Sequence, residues 1–177
     1  MHARTPPLSR KREREGPAQR DGKGAPAPMT DVAFYHLQKS SLEAVLPKLL
    51  EKTLAAGKRA VVLASSTERV EALAAHLWTW DPDAWLPHGT AQDGSPEEQP
   101  IWLTEKDDNP NGAAFLFLTD GADSSRIAAY ERCFDLFDGN DPAALDAARA
   151  RWQARKAEGH AVTYWQQTER GGWEKKA

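Results

Sequence analysis

A single cysteine, Cys133, excludes an internal disulfide and any CxxC zinc or redox site. It stands among apolar residues and is expected to be a small buried hydrophobe. No apolar run is long enough to span a bilayer, and no signal-peptide pattern of basic, apolar and small residues occurs. A soluble, cytoplasmic protein that makes no membrane contact is expected. Both phosphate-cradling signatures are missing as well. No GxGxxG follows an early strand, and "AAGKRA" has a Gly-Lys pair without the upstream glycine or the Ser/Thr that a P-loop needs. The five histidines (His2, His36, His76, His88 and His160) form neither HxxxH nor HExxH. A zinc site is not expected, nor is any other cofactor, and no internal repeat is present.

What is there suits one ordinary domain: 177 residues can bury a core without metal or disulfide support. The net charge of −3 conceals an asymmetry. Residues 1–28 hold seven Lys/Arg against three Asp/Glu, a balance of +4, so the remainder carries −7. That first stretch is rich in Pro, Gly and charge and poor in apolar residues, so it is expected to be a disordered basic extension. Two readings stand for it. A basic tail can bind nucleic acid weakly through phosphates; alternatively Met29, followed by "TDVAFYHL", is the natural start and residues 1–28 are an over-extended reading frame. Residues 29–177 then form a single domain.

Along that domain, "DVAFYHL" (Asp31–Leu37) reads as a buried strand. Ser40 or Ser41 can cap a helix carrying Leu42, Val45, Leu46, Leu49, Leu50 and Leu54, with Pro47 kinking it or marking a later start. Gly57 ends it before the strand "AVVLA" (Ala60–Ala64). Ser65 and Glu68 have capping-box spacing ahead of a helix facing inward through Val70, Leu73 and Leu77. Strand–helix–strand–helix predicts a three-layer, Rossmann-like α/β fold with a mainly parallel central sheet. "HGTAQDGSPEEQP" after Pro87 reads as a polar surface connection. Further strands are expected at Ile101–Thr104, Phe115–Leu118 and Glu131–Phe137, although Ile127, Tyr130 and Phe134 also fit helical spacing. Asp141 and Pro142 start a last helix that Gly159 stops.

Enzyme-like signals are thin. His36 lies inside a strand with no accompanying nucleophile motif and reads as a packed histidine. "LTDGADSSR" could set Asp120 and Ser124 at the sheet's carboxyl edge, but its composition also makes a tight structural turn. The acidic pairs Asp81/Asp83, Glu97/Glu98 and Asp107/Asp108 read as solvated loop charges.

Two features stand out. Three of the seven tryptophans, Trp78, Trp80 and Trp85, fall in "LWTWDPDAWLPHG". Such density suits a helix-end core or a protein-binding surface; either Trp78 or Trp85 is expected to be buried, with one of the three partly exposed. The second feature is "ARARWQARKAEGH". On a helix Leu145, Arg149, Trp152 and Lys156 share one narrow face, with Arg151 and Arg155 round to one side. Macrodipole compensation explains basic residues at a helix end on any face. It does not explain two cations flanking a tryptophan on one face, which suits a ligand with carboxylates and an apolar side chain.

Taken in order, "AFYHL", "GKRAVVLASSTERVEALAAHLW", "WLPHG", "CFDLFDG" and the basic helix followed by "YWQQ" resemble the chi subunit of bacterial DNA polymerase III holoenzyme. The resemblance covers Thr30 to Ala177. It implies a non-catalytic accessory protein with a Rossmann-like fold and no working nucleotide site. It also implies a link between the clamp-loader complex, through psi or a substitute, and the acidic C-terminal tail of single-stranded DNA-binding protein. The family's tail-binding run falls on Arg149, Arg151, Trp152 and Gln153. Tryptophan stands where tyrosine is common and glutamine where lysine is expected, with Arg155 and Lys156 one turn later as compensation. The resemblance sets the clamp-loader or psi contact near Trp78, Trp80, Trp85, Leu86, Pro87 and His88. The competing readings are an α/β nucleotide binder or enzyme with an unrecognised site, and direct nucleic-acid binding through residues 1–28.

Overall fold

The computed structural model describes residues 29–177, so the expected basic extension lies outside the described residues. Eight strands form one sheet in the order β3-β4-β2-β5-β6-β1-β7-β8. They are β1 (Asp31–Leu37), β2 (Ala60–Leu63), β3 (His88–Gly89), β4 (Ile101–Thr104), β5 (Phe115–Thr119), β6 (Arg132–Asp138), β7 (Ala161–Gln167) and β8 (Trp173–Lys175). All neighbours run parallel except β7 and β8. Three helices complete the layers: α1 (Leu42–Ala55), α2 (Thr67–Thr79) and α3 (Pro142–Ala157).

Two buried clusters show which face each helix covers. Leu42, Val45, Leu46 and Leu50 of α1 and Val70, Leu73 and Leu77 of α2 pack on Ala33, Val62, Leu103, Phe117 and Leu136. On the opposite face Ala148, Leu145 and Trp152 of α3 pack with Val32, Phe34, Cys133 and Phe137. The fold is therefore the expected three-layer, Rossmann-like α/β arrangement. Central strands are buried on both faces, which is why "AVVL" and "FLFLT" read as continuous apolar runs rather than alternations.

Local signals explain the helix ends. Ser41 caps α1, its side chain accepting from the Ala44 N–H, and Asp141 caps α3 ahead of Pro142. Pro47 neither ends nor delays α1. It lacks the N–H that would bond the Glu43 carbonyl four residues back, and the His76 ring on α2 takes that carbonyl at 2.6 Å. A neighbouring helix thus satisfies the group that proline orphans. The second cap differs from expectation: Ser66, not Ser65, accepts from the Arg69 N–H, so α2 starts one residue later and the Ser65–Glu68 box does not form.

Three strands escape the sequence reading. His88–Gly89 lies in the stretch read as a polar connection, yet it pairs with Ile101 and Trp102 at the sheet edge. Ala161–Gln167 pairs with β1, and Trp173–Lys175 turns back on it antiparallel. The uncertain segment resolves as strand: Cys133, Phe134, Leu136 and Phe137 fill both faces of β6, and only Ile127–Ala129 makes a single helical turn. Cys133 is fully buried, as expected.

Candidate functional site

The last helix positions the basic residues by burying one side against β1, β6 and β7. Trp152 sits edge-on to Phe34 at 5.5 Å and to Tyr164 at 5.8 Å, so its ring is half in the core. One turn earlier, the Arg149 side chain is 70% exposed and, among the described residues, pairs with Asp146 alone, at 3.6 Å. An exposed i,i+3 contact of that length holds the guanidinium weakly. One turn later, Lys156 lies 5.8 Å above the Trp152 ring in cation–π range. Lys156 forms no ion pair among the described residues, and Gln153 is exposed beside the stripe. The structure therefore gathers Arg149, Trp152 and Lys156 into one accessible strip.

Arg151 and Arg155 belong elsewhere. Arg151 is buried and grips Asp135 of β6 with two parallel bonds, 2.7 Å from Nε and 2.9 Å from Nη2. Burial raises the Asp135 carboxyl above its ordinary value, against the pull of Arg151. Arg155, also buried, pairs with Asp123 in the loop after β5 and with Glu158 at 3.0 Å. Both guanidinium groups are already satisfied inside the protein. They clamp α3 to the sheet, each already paired with a carboxylate of the protein. A helical wheel cannot make this distinction, because it does not show which carboxylate waits opposite each arginine.

One residue joins the strip that spacing on the helix did not reveal. Tyr164 of β7 lies against Trp152, with its hydroxyl on Nδ1 of the buried His36. Lys176 continues the antiparallel register opposite Tyr164, its N–H donating to the Tyr164 carbonyl at 2.8 Å, while its ammonium pairs with Glu174 at 3.3 Å. The signal available for Tyr164 was period-two alternation within "AVTYWQQ", which separates Val162 and Tyr164 from Thr163 and Trp165.

The tryptophan-rich segment divides differently from expectation. Trp78 is 61% exposed and Trp85 77% exposed, so neither is buried. Trp80, which caps the end of α2, packs on the core instead. Leu86 and His88 are buried, Leu86 in the core and His88 with its ring nitrogens 2.7 and 2.9 Å from the Leu86 and Ala74 carbonyls. Those two residues lie inside the segment and anchor it to the core. Trp78 leans on the His88 ring at 4.4 Å, which fixes its orientation without covering it. Pro87 is half-buried between them.

A cavity of about 690 Å³ opens at the carboxyl ends of β1 and β6, where an α/β sheet holds nucleotides. Glu43, Asp120, Asp138 and Asp141 line it together with Lys39, Arg151 and Arg69, the last tied between Glu43 and Asp120 at 2.5 Å each. Asp120 and Gly121 take positive φ angles of 53° and 79° in a tight turn, while Ser124 donates to Asp107. The enzyme-like stretch is therefore turn structure, with Asp120 and Ser124 facing different partners. His36 is packed, as expected.

These features define a Rossmann-like α/β protein with an accessible basic–aromatic strip on its last helix and two exposed tryptophans at and beyond the end of its second. Residues 29–163 match the family described as DNA polymerase III chi subunit, HolC, and the chain belongs to that family. It is 28% identical over 109 residues to the probable DNA polymerase III subunit chi of Rickettsia prowazekii (strain Madrid E). The match covers 62% of this chain and 66% of that relative, just under two thirds of its length.

Proposed function

We propose that this protein is a non-catalytic accessory subunit that links the clamp-loader complex of DNA polymerase III to single-stranded DNA-binding protein during replication. It does so by binding the acidic C-terminal tail of that protein. The observation that carries the reading is the strip Arg149–Trp152–Lys156, where two accessible cations flank a half-buried ring. A tail ending in an apolar residue and a free carboxylate matches it: the ring offers apolar contact, and Arg149 offers charge-assisted hydrogen bonds. Titration with an acidic peptide of this kind should show binding that weakens with added salt, because these contacts are exposed and screened. The same peptide with an amidated C-terminus should bind more weakly. Equal binding of both forms would remove the terminal carboxylate from the recognition, whereas no peptide binding together with stabilisation by a nucleotide would replace this reading with the α/β nucleotide-binder alternative.

The clamp-loader contact is proposed at Trp78 and Trp85, on the end of α2 and the segment after it. Exposed tryptophans supply large rigid contact area at low entropic cost. Changing both to Ala should weaken capture of the clamp-loader complex, directly or through psi, by about tenfold or more. Folding stability should stay within about 0.5 kcal/mol, since neither ring is buried. Tail-peptide affinity should be unaffected. Loss of both binding activities in a folded variant would show one shared surface.

A further inference from the structure

We propose that the sheet face carrying Tyr35, Trp165 and Trp173 binds single-stranded DNA directly, stacking bases on these rings and meeting phosphates with Arg132 and Lys175. The face lies on the side of the sheet opposite the strip on α3, so the proposal goes beyond the peptide-binding reading and does not depend on it.

Strand alternation and register assemble the face. Tyr35 alternates with Ala33 and Leu37 on the side of β1 that packs with α1 and α2. Register sets Trp165 of β7 beside Tyr35 and Lys175 of β8 beside Trp165, with Trp173 opposite Gln167. The Tyr35 and Trp165 rings are nearly parallel, 12° apart in plane with centroids at 6.5 Å. Trp173 stands at right angles to Tyr35, 4.9 Å away, as a wall beside that floor. Helix α1 packs over β6, whereas the helix packed on β7 is α3, on the other face. The aromatic row thus runs out past α1, and all three rings are half-buried, resting on the core and still partly open.

Two cations border the row. Arg132, at the start of β6, is exposed and holds its guanidinium 4.8 Å above the Phe134 ring, which lies 5.9 Å from Tyr35. Lys175 is exposed on β8. Neither forms an ion pair among the described residues, and Asp31, beside Arg132 in register, does not pair with it. Rings flanked by unmatched cations suit a chain that is flat and anionic at once. An unpaired base offers a π-face whatever its identity, and each nucleotide brings one negative charge. An apolar protein segment would use the rings and leave both cations unmatched. Duplex DNA fits poorly, because its bases already stack on one another. Membership of a DNA polymerase III family makes DNA the strand proposed. The domain is acidic overall, so affinity must come from the rings and these two cations rather than from a broad positive field.

The experiment is titration of a labelled oligothymidylate of about 15 nucleotides with the full-length protein, read by fluorescence anisotropy, beside a duplex of equal length. The unaltered protein should bind the single strand with a Kd on the order of 10–100 μM and bind the duplex more weakly. Trp173→Ala should weaken single-strand binding about tenfold, the usual loss for one stacked base. Trp173 also packs on the core, so a second variant leaves that packing intact. Arg132→Gln with Lys175→Gln should reduce the slope of log affinity against log salt by about 1.4, the share of two phosphates on a single strand. Thermal melts show which variants are folded, and affinity for the acidic tail peptide should be unchanged in each. Single-strand binding that is the same in both variants as in the unaltered protein would overturn the inference, since the basic residues 1–28 would then suffice through phosphates alone. Failure to bind the single strand, or equal binding of the duplex, would overturn it too, and tighter binding of an oligouridylate would make the occupant RNA instead. None of these results bears on the peptide reading, whose own test is titration with the peptide.

Discussion

Arg151→Ala will lower the free energy of unfolding by about 3–5 kcal/mol, the usual cost of removing one partner from a buried ion pair. Asp135 is 2% exposed and Arg151 8% exposed, and their two hydrogen bonds leave the carboxylate little else to pair with. Without the guanidinium, Asp135 must stay charged in a dry site or take up a proton there. Burial already raises its carboxyl, so it will protonate, and part of the loss will be recovered at acid pH. Urea unfolding at neutral and mildly acidic pH measures this. The double change Asp135→Leu with Arg151→Met should fall much closer to the unaltered protein, since replacing both charges removes the desolvation cost along with the attraction. A loss below about 1 kcal/mol for the single change would mean that water reaches the pair and that it behaves as a surface contact.

Arg149→Glu will reduce affinity for the acidic tail peptide by about a hundredfold. A charge-assisted hydrogen bond contributes roughly 1.5–3 kcal/mol, and reversal adds repulsion to its loss. Stability should hardly change, because Arg149 is exposed and its 3.6 Å contact with Asp146 is weak. Lys156→Ala should cost less, about threefold, since a lysine above an indole steers charge without fixed geometry. Titration calorimetry beside a thermal melt separates binding from folding. Arg149→Glu with unchanged affinity would move the site away from α3, leaving its basic turn as dipole compensation. The pair Arg149 and Arg151 thus makes opposite demands two residues apart: one alters binding with little effect on folding, the other the reverse.

Much of the architecture was legible in the chain. "AVVL" and "FLFLT" are apolar throughout because parallel central strands are covered on both faces, and that composition is local information. Ser41, Asp141, Pro142 and Gly57 mark helix ends through their own backbone chemistry and need no distant partner. Arg149, Trp152 and Lys156 fall on one helix face by arithmetic alone. The strands that went unread were short or half-exposed. His88–Gly89 has two residues, and β7 is only partly buried along most of its length, so neither carries a strong apolar pattern.

What the sequence by itself determined, then, is everything set within one element: the strand cores, the helix caps, the lone buried cysteine and the basic stripe of α3. What only the tertiary structure decided is how each charge is used. Asp135 lies sixteen residues before Arg151 on another element, and Asp123 lies thirty-two before Arg155. Their carboxylates convert two of the four helix cations into internal clamps. Tyr164 and His36 are separated by 128 positions and meet only because β7 lies beside β1. Trp78 and Trp85 stay outside while Trp80 turns in, because the end of α2 turns only one side of the segment toward the core. Helical and strand periodicity are properties of the backbone near each residue. Which neighbour a long polar side chain meets depends on how separate elements pack, and no local pattern encodes that.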